Sequence, residues 1–449
     1  MHRFLCSPVQ HGSFDFFSNV VVLDKYEEKS KTHLEAALKL NGKTNLEAYQ
    51  CYSRARSLIM HEAVHFLDVT TTRWGVEYVF RKLRLVEAIQ AKCELEDRAK
   101  VFMLNTLEIE SHTDLLVREI QVGPNDCTKL SHYIKYDKKY GAVLMMAYFY
   151  GDSIAYHVPV TMLSVLEANA TANEYLQRIY DLKQVSHDEY HDVELKVLRR
   201  DFDEAMDKEG LEYSVLIKLC ILHFPQLSFQ ELLEFVSAMA RFTLDAGDML
   251  LAALANHVEQ SIQSQYGPSI DMELRRGMSR AVIFVKTILL MYGWLQLSLP
   301  QNQTRYIDEL KRNPSSAINL FLEEALGIDV RLLAMEWTYA ASVKMLNEFS
   351  TLSDSNIISR SGLINRQVLS AMSPAQAGLQ NLMLPDFLLS DDSVLKQINR
   401  IDLDVLSDFD KNLKLYSQLD EAYRMQEKMR FHLDPHFALV EVARMHRFS

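Results

Sequence analysis

Three residues within five positions carry the strongest chemical signal in this chain. His61 and His65 are four residues apart and Glu62 lies between them, in the segment Leu58-Ile-Met-His-Glu-Ala-Val-His-Phe-Leu67. On an α-helix, side chains four residues apart project from the same face about one turn apart, so both imidazoles could bind one metal ion. Glu62 would lie to one side of that ion, where its carboxylate can accept a proton from a water molecule. The spacing therefore predicts a metal centre that assists hydrolysis.

The surrounding sequence favours the helix that this spacing requires. Thr44-Asn-Leu-Glu47 has the spacing of a capping box, in which a hydroxyl and a carboxylate satisfy free amides at the start of a helix. No proline interrupts the residues that follow, as far as Asp68. We expect one helix to begin near Thr44 and to run to about Asp68.

The segment from His61 to His65 resembles the H-E-x-x-H motif of the zincin metallopeptidases. In those families the residues between the two histidines and immediately after them are uncharged, and the pairs Ala63-Val64 and Phe66-Leu67 meet both conditions. The resemblance implies a Zn2+ ion held by both histidines. It also implies hydrolysis of a peptide bond, with Glu62 as the general base.

A catalytic zinc site commonly has three protein ligands and a water molecule, so a third ligand must lie elsewhere in the chain. Zincins that use a third histidine continue the motif with glycine and histidine, and the residues from Phe66 to Thr71 contain neither. We expect Glu167, whose neighbours are small enough to let another helix approach closely. Its segment resembles the E-x-x-A-x-x-x-E helix that supplies the third ligand in many gluzincin-like families, with Glu167, Ala170 and Glu174 at the matching positions.

Three other carboxylates stay candidates for the third ligand. In the compact gluzincins the ligand follows the second histidine after a shorter stretch, and Glu87 would satisfy that spacing. Glu77 is a further candidate. Asp68 lies about one turn beyond His65, where an aspartate more often supports a ligand than binds the metal itself.

The remaining sequence predicts a mainly helical protein. Only 14 glycines and 10 prolines occur in 449 residues, and segments rich in Leu, Ala, Glu, Met and Lys run between them, which favours helix. Phe14 to Leu23 is the best strand candidate, because aromatic and β-branched residues dominate it. We therefore expect at most a small β element near the N-terminus, and helices elsewhere, including one over Gly141 to Tyr156.

Chain length and a polar break predict two units. A chain of 449 residues exceeds the size at which one hydrophobic core usually stops growing. Asp207-Lys-Glu-Gly210 is polar, contains a glycine and separates two runs of helices. We expect a zincin-like metal-binding catalytic domain at 1–207 and an all-helical domain that binds substrate or a partner at 208–449.

Charge and composition narrow the partners. The net charge is -12 and lysines and arginines form no long run, which disfavours nucleic acid and favours a protein or peptide substrate. Five scattered cysteines without a C-x-x-C pair, and the lack of a secretory signal, suit a cytoplasmic location. The apolar stretch from Ala281 to Leu299 contains Lys286 and Gln296, so it predicts a core helix and no membrane span. The oligomeric state stays open.

Two other functions are compatible with the same residues. The H-E-x-x-H segment could be structural or degenerate in a helical regulatory or interaction protein. The same metal chemistry could also hydrolyse a non-peptide substrate. If the protein is a peptidase without an export signal, we expect it to cut a specific intracellular protein, because unrestrained proteolysis would harm the cell.

Overall fold

The computed structural model describes residues 12–16, 18–40, 42–90, 112–138, 140–186, 188–208, 210–261, 266–275, 280–329, 335–348, 355–401, 404–407, 411 and 414. The protein is mainly helical with a small sheet near its N-terminus, which confirms the predicted fold class. Over these described ranges, no helix combines the length and the apolar character needed to cross a membrane.

Short strands lie near both ends of the described chain, and longer strands form one block between its helices. The strands are β1 (Ser13–Asp15), β2 (Val20–Leu23), β3 (Val117–Arg118), β4 (Lys129–Asp137), β5 (Gly141–Tyr150), β6 (Ser153–Pro159), β7 (Phe387–Leu389) and β8 (Val394–Leu395). The α-helices are α1 (Lys31–Lys39), α2 (Leu46–Thr71), α3 (Arg73–Gln90), α4 (Met162–Lys183), α5 (His191–Lys208), α6 (Leu211–His223), α7 (Phe229–Asp245), α8 (Asp248–Ser261), α9 (Gly267–Arg275), α10 (Ala281–Leu297), α11 (Pro300–Arg312), α12 (Pro314–Leu326), α13 (Met335–Glu348), α14 (Ser355–Leu369) and α15 (Pro374–Ala377).

The first sheet joins the two ends of the described chain in the order β1-β2-β7-β8. The predicted strand at Phe14 to Leu23 folds back on itself as the antiparallel pair β1 and β2, with Phe14 opposite Val21. Asn19 has a φ of 59°, a left-handed conformation that asparagine tolerates and that reverses the chain between the two strands. Strand β2 then pairs in parallel with β7 from the C-terminal half.

The second sheet corrects the prediction of a helix from Gly141 to Tyr156. Those residues form strands β5 and β6, in a sheet with the order β3-β6-β5-β4. Tyr150 pairs with Ser153, which leaves Gly151 and Asp152 as a two-residue turn with Gly151 at a φ of 59°. A glycine-containing pair between two apolar runs is a hairpin signal. That signal overrides the helix propensity of the Ala, Leu and Met residues in β5.

Helix α4 lies at the centre of the helical packing. It packs against α2, α6 and α7. Most of its buried apolar residues belong to one hydrophobic core cluster that extends from Phe14 to Ile401. Two central helices buried against each other are therefore the frame on which the predicted metal ligands are placed.

The predicted boundary near residue 207 coincides with a break between helices. Helix α5 ends at Lys208, and α6 begins at Leu211 with Gly210 as its N-cap. The packing of α4 against α6 and α7 crosses this break, and the C-terminal half also contributes strands β7 and β8 to the first sheet. The division into domains at 1–207 and 208–449 stays a prediction.

Candidate metal centre

The helix that carries the motif begins one residue later than the capping box predicts. Asn45 is the N-cap of α2, and its side-chain oxygen accepts a hydrogen bond of 2.8 Å from the amide of Ala48. Every residue from Ile59 to Thr71 is buried. A helix buried on all sides is a core helix, so the polar motif residues must find their partners inside the protein.

Helix α4 brings Glu167 to the motif helix. The helix begins after the N-cap Thr161, whose hydroxyl accepts from the amide of Ser164. Ala168, Ala170 and Ala172 are completely buried in α4, and α2 packs along this helix. Small side chains allow two helix backbones to approach closely, as the sequence predicted for the segment around Glu167.

The two histidines and Glu167 converge on one point. One possible ligand atom from each of the three residues lies within 4.8 Å of the others. Oε2 of Glu167 lies 3.4 Å from Nε2 of His61 and 3.7 Å from Nε2 of His65. Around a tetrahedral zinc ion with bonds of about 2.0–2.2 Å, neighbouring ligand atoms are roughly 3.3–3.6 Å apart. Both measured distances are close to this spacing, so Glu167 and the two histidines are placed as ligands of one zinc ion would be.

An unsatisfied carboxylate oxygen supports the fit of a cation at this point. Oε2 of Glu167 is buried and has no hydrogen-bond partner among the described residues, and the Glu167 side chain is only 7% exposed. A buried polar atom without a partner costs free energy. A cation between this oxygen and the two imidazoles would remove that cost, so the residues present fit a metal ion.

Glu174 orients the first histidine. Oε2 of Glu174 lies 3.0 Å from Nδ1 of His61. Because an ionised carboxylate only accepts hydrogen bonds, Nδ1 carries a hydrogen, and in the neutral imidazole Nε2, which faces Glu167, has the lone pair that binds a metal. The side chain of Glu174 is 28% exposed, so the centre approaches solvent on this side.

The two histidines have different electrostatic surroundings. Burial lowers the pKa of His65 to about 4, which favours the neutral imidazole that a metal requires. Burial also lowers the pKa of His61, but the nearby carboxylates of Glu167, Glu174 and Glu62 together outweigh it and hold that pKa well above its usual value. A metal ion would compete with this proton on His61.

Glu62 lies beside the centre without joining the group of ligand atoms. It is buried, and the pKa of its carboxyl is raised to about 8, chiefly by burial; His61 opposes the rise, and the carboxylates of Glu167, Glu174 and Asp24 contribute to it. A nearby cation would favour the ionised carboxylate. Within the described part of the chain, the group that meets the 4.8 Å spacing contains His61, His65 and Glu167 but not Glu62.

The other candidates for the third ligand have different partners. The carboxylate of Asp68 accepts two hydrogen bonds from the Asn169 amide, at 2.8 and 3.1 Å, and burial raises the pKa of Asp68 to about 7. Glu77 forms ion pairs with Arg73 at 2.7 Å and with Arg280 at 3.0 Å. Glu87 lies on α3, and its side chain is outside the described part of the structure.

A buried polar network next to Glu167 was not predicted from the sequence. Asn169 donates to Asp68 of α2 and accepts from the hydroxyl of Ser237 on α7 at 2.8 Å. The side chain of Asn173 donates to Asn169 and accepts from the amide of Ala375 on α15. The signal in the sequence was the pair of asparagines four residues apart in an otherwise small and apolar helix segment. This network fixes α4 against three neighbouring helices.

Comparisons of this chain with protein-family models, with curated proteins and with solved structures find no match.

Proposed function

We propose that this protein is a zinc-dependent metallohydrolase of the zincin type, with His61, His65 and Glu167 as metal ligands and Glu62 as general base. The observation that carries the proposal is the buried oxygen of Glu167, which lies 3.4 and 3.7 Å from the Nε2 atoms of the two histidines. That oxygen accepts no hydrogen bond within the described ranges. Ion pairing alone would leave the Glu167 oxygen without a hydrogen bond, whereas a tetrahedrally coordinated cation would bind this oxygen and both imidazoles.

Each residue of the centre has a distinct task under this proposal. When bound, a zinc ion supplies Lewis acidity, which lowers the pKa of a water molecule and polarises a carbonyl group. Glu62 accepts a proton at its carboxylate and later returns it to the leaving group. Glu174 holds His61 in the tautomer and orientation that point Nε2 toward Glu167.

The substrate is proposed on different grounds from the metal. Peptide-bond hydrolysis is what the resemblance to the zincin metallopeptidases implies for Glu62 and the two histidines. A specific intracellular protein is our proposed substrate, and the cytoplasm our proposed location, because the five cysteines are scattered and include no C-x-x-C pair, which suits reduced thiols. The C-terminal helices from α6 onward are proposed to contribute to binding that substrate.

Metal analysis of the purified protein tests the ligand set. We expect about one zinc per chain in the wild type, and loss of that zinc in His61→Ala and His65→Ala. Glu167→Gln should lower the zinc content, because it removes the charged ligand but keeps the size of the side chain. His33→Ala, in helix α1 away from the centre, is the matched histidine control.

The alternative ligand is tested in the same experiment. Glu87→Gln should keep full zinc content if Glu167 is the third ligand. A zinc-free wild type, or full zinc content in both histidine variants, would refute the proposed centre. If Glu87→Gln loses its zinc and Glu167→Gln keeps it, the third ligand is Glu87 on α3.

Turnover assays separate catalysis from a structural metal. Glu62→Gln should keep its zinc but lose hydrolysis by a factor of about 100 to 10,000, the usual contribution of a general base. Assays on panels of peptides and proteins, and on small amides and esters, distinguish the substrate class. Bound zinc with no Glu62-dependent turnover on any panel would favour a regulatory or interaction protein with a structural metal. Turnover of the small non-peptide panel alone would favour a non-peptide hydrolase.

A further inference from the structure

The backbone at the start of β1 presses against the proposed general base. A Cβ atom placed on Gly12 would lie 2.7 Å from Oε1 of Glu62, 2.9 Å from its Cγ and 3.0 Å from its Cδ. Real side chains do not approach so closely, so only glycine fits here without a shift of the glutamate. Contact along the whole outer part of the Glu62 side chain limits the positions that its carboxylate can take.

The same strand packs two aromatic rings on the second histidine. The ring of Phe14 is stacked on His65 with centroids 6.4 Å apart, and the ring of Phe16 lies 5.8 Å from it. Gly12 precedes β1 and Phe16 follows it, and the contacts of positions 12, 14 and 16 place all three toward α2. This short segment therefore contacts both Glu62 and His65.

The two histidines are held by different means. His61 has Glu174 as a hydrogen-bond acceptor at Nδ1. Nδ1 of His65 is buried and has no hydrogen-bond partner in the ranges that the structure describes. Since no described residue hydrogen-bonds to Nδ1, the contacts with Phe14 and Phe16 are what limits the orientation of the His65 ring in the described structure.

Strand β1 is anchored well enough to serve as a support. It pairs with β2, which in turn pairs with β7, and the hydroxyl of Ser13 donates to the carboxylate of Asp24 at 2.8 Å. Catalytic groups are held more accurately by elements with regular hydrogen bonding than by free loops.

We infer that the inner side of β1 and of the two residues that flank it is a positioning surface for the metal centre: Gly12 fixes the carboxylate of Glu62, and Phe14 with Phe16 fixes the imidazole of His65. The inference rests on the proposed function, since it assigns these three residues to the geometry of that same site. Each of the three acts through its neighbour on α2 and is therefore a positioning residue.

A stability cycle on the metal-free protein tests the contact at Gly12. We expect Gly12→Ala to lower the Tm by about 2 °C or more. In a Glu62→Ala background the cost should largely disappear, because the three contacted atoms are gone. Gly293→Ala on α10 is the matched control, because apart from its chain neighbours and the adjacent backbone of α10 the new Cβ meets no described atom within 4 Å; it should not lower the Tm in either background. An equal loss of Tm from Gly12→Ala in both backgrounds would overturn the inference.

Zinc affinity tests the role of the aromatic rings. Phe14→Leu should weaken zinc binding about tenfold, as expected when a support of a ligating histidine is lost, and should alter the visible spectrum of the Co2+-substituted protein. Phe321→Leu, a fully buried phenylalanine on α12, should leave both unchanged. Gly12→Ala should also keep the zinc affinity, because Glu62 is not a ligand. Unchanged zinc affinity and Co2+ spectrum in Phe14→Leu would refute the role of the rings.

Turnover then separates this inference from the proposed function. In an active enzyme, Gly12→Ala should lower kcat at least about tenfold with little change in KM, because a misplaced general base affects the reaction more than substrate binding. If the wild type binds zinc but hydrolyses nothing, the proposed function fails, while the Tm cycle and the zinc titrations still test the contacts. If the wild type is active and Gly12→Ala keeps its full kcat, the inference fails alone.

Discussion

Removal of Glu174 should weaken zinc binding although Glu174 is not a ligand. Its carboxylate accepts the hydrogen of Nδ1 of His61 at 3.0 Å, on the side of the ring opposite the proposed metal. Glu174→Ala removes both the acceptor and its negative charge. Glu174→Gln keeps an acceptor oxygen but removes the charge, so the two variants separate orientation from electrostatics.

The size of the effect follows from the exposure of Glu174. Loss of a carboxylate that supports a ligating histidine commonly weakens metal binding 10- to 100-fold. The Glu174 side chain is 28% exposed, so water screens part of its charge, and we expect the lower end of that range. Glu174→Ala should weaken zinc binding about tenfold, or about 1.4 kcal/mol, and Glu174→Gln by a smaller factor.

The assay is a competition titration of each variant with a chromophoric zinc chelator at constant pH. Glu194→Ala is the matched control, because that carboxylate accepts a hydrogen bond from Gln50 near the surface and takes no part in the centre. Wild-type zinc affinity in Glu174→Ala would refute the reasoning. Complete loss of zinc would show that Glu174 is itself a ligand.

Three further predictions concern the residues around the centre. Burial raises the pKa of Asp68 in the folded protein to about 7, so the wild type loses stability as the pH rises from about 4 to about 7. In metal-free protein, the Tm of Asp68→Asn minus the Tm of the wild type should therefore be larger at pH 8 than at pH 5. An equal Tm difference at the two pH values would contradict this prediction. Asn169→Ala should lower the free energy of unfolding in urea by about 1–3 kcal/mol, because it leaves the buried Asp68 carboxylate without its two hydrogen bonds. An unchanged free energy of unfolding would show that the network is not formed. A Cβ at Gly362 would lie 2.2 Å from the carbonyl oxygen of Thr70 at the end of α2. Gly362→Ala should therefore lower the free energy of unfolding in urea by about 1–3 kcal/mol. Gly293→Ala should leave it unchanged or raise it slightly in the same assay.

Local sequence rules succeeded where a single helix decides the outcome. Once α2 forms, the four-residue spacing of His61 and His65 puts both on the same face of the helix. The capping signal at Thr44 predicted the N-cap of α2 to within one residue of the observed Asn45. A capping box from Ser228 to Glu231 likewise begins α7. These features depend on contacts within a few residues, which the order of amino acids specifies directly.

The same rules failed where partners distant in the chain decide the outcome. The Gly141 to Tyr156 segment contains residues that favour helix, but pairing with β4 and the turn at Gly151 make it part of a sheet. The contact of Gly12 with Glu62 joins residues far apart in the chain, and no spacing rule indicates it. The partners of Asp68 are likewise supplied by another helix, through Asn169.

By itself, the sequence determined which groups could bind a metal and move a proton, because a helix converts the spacing of His61, Glu62 and His65 into a fixed geometry. Only the tertiary structure decided which carboxylate meets them. Glu167 was preferred on its small neighbours, yet its position beside both imidazoles depends on how closely α2 and α4 pack. Packing across the core sums many weak contacts between distant residues, and that sum cannot be read from local spacing.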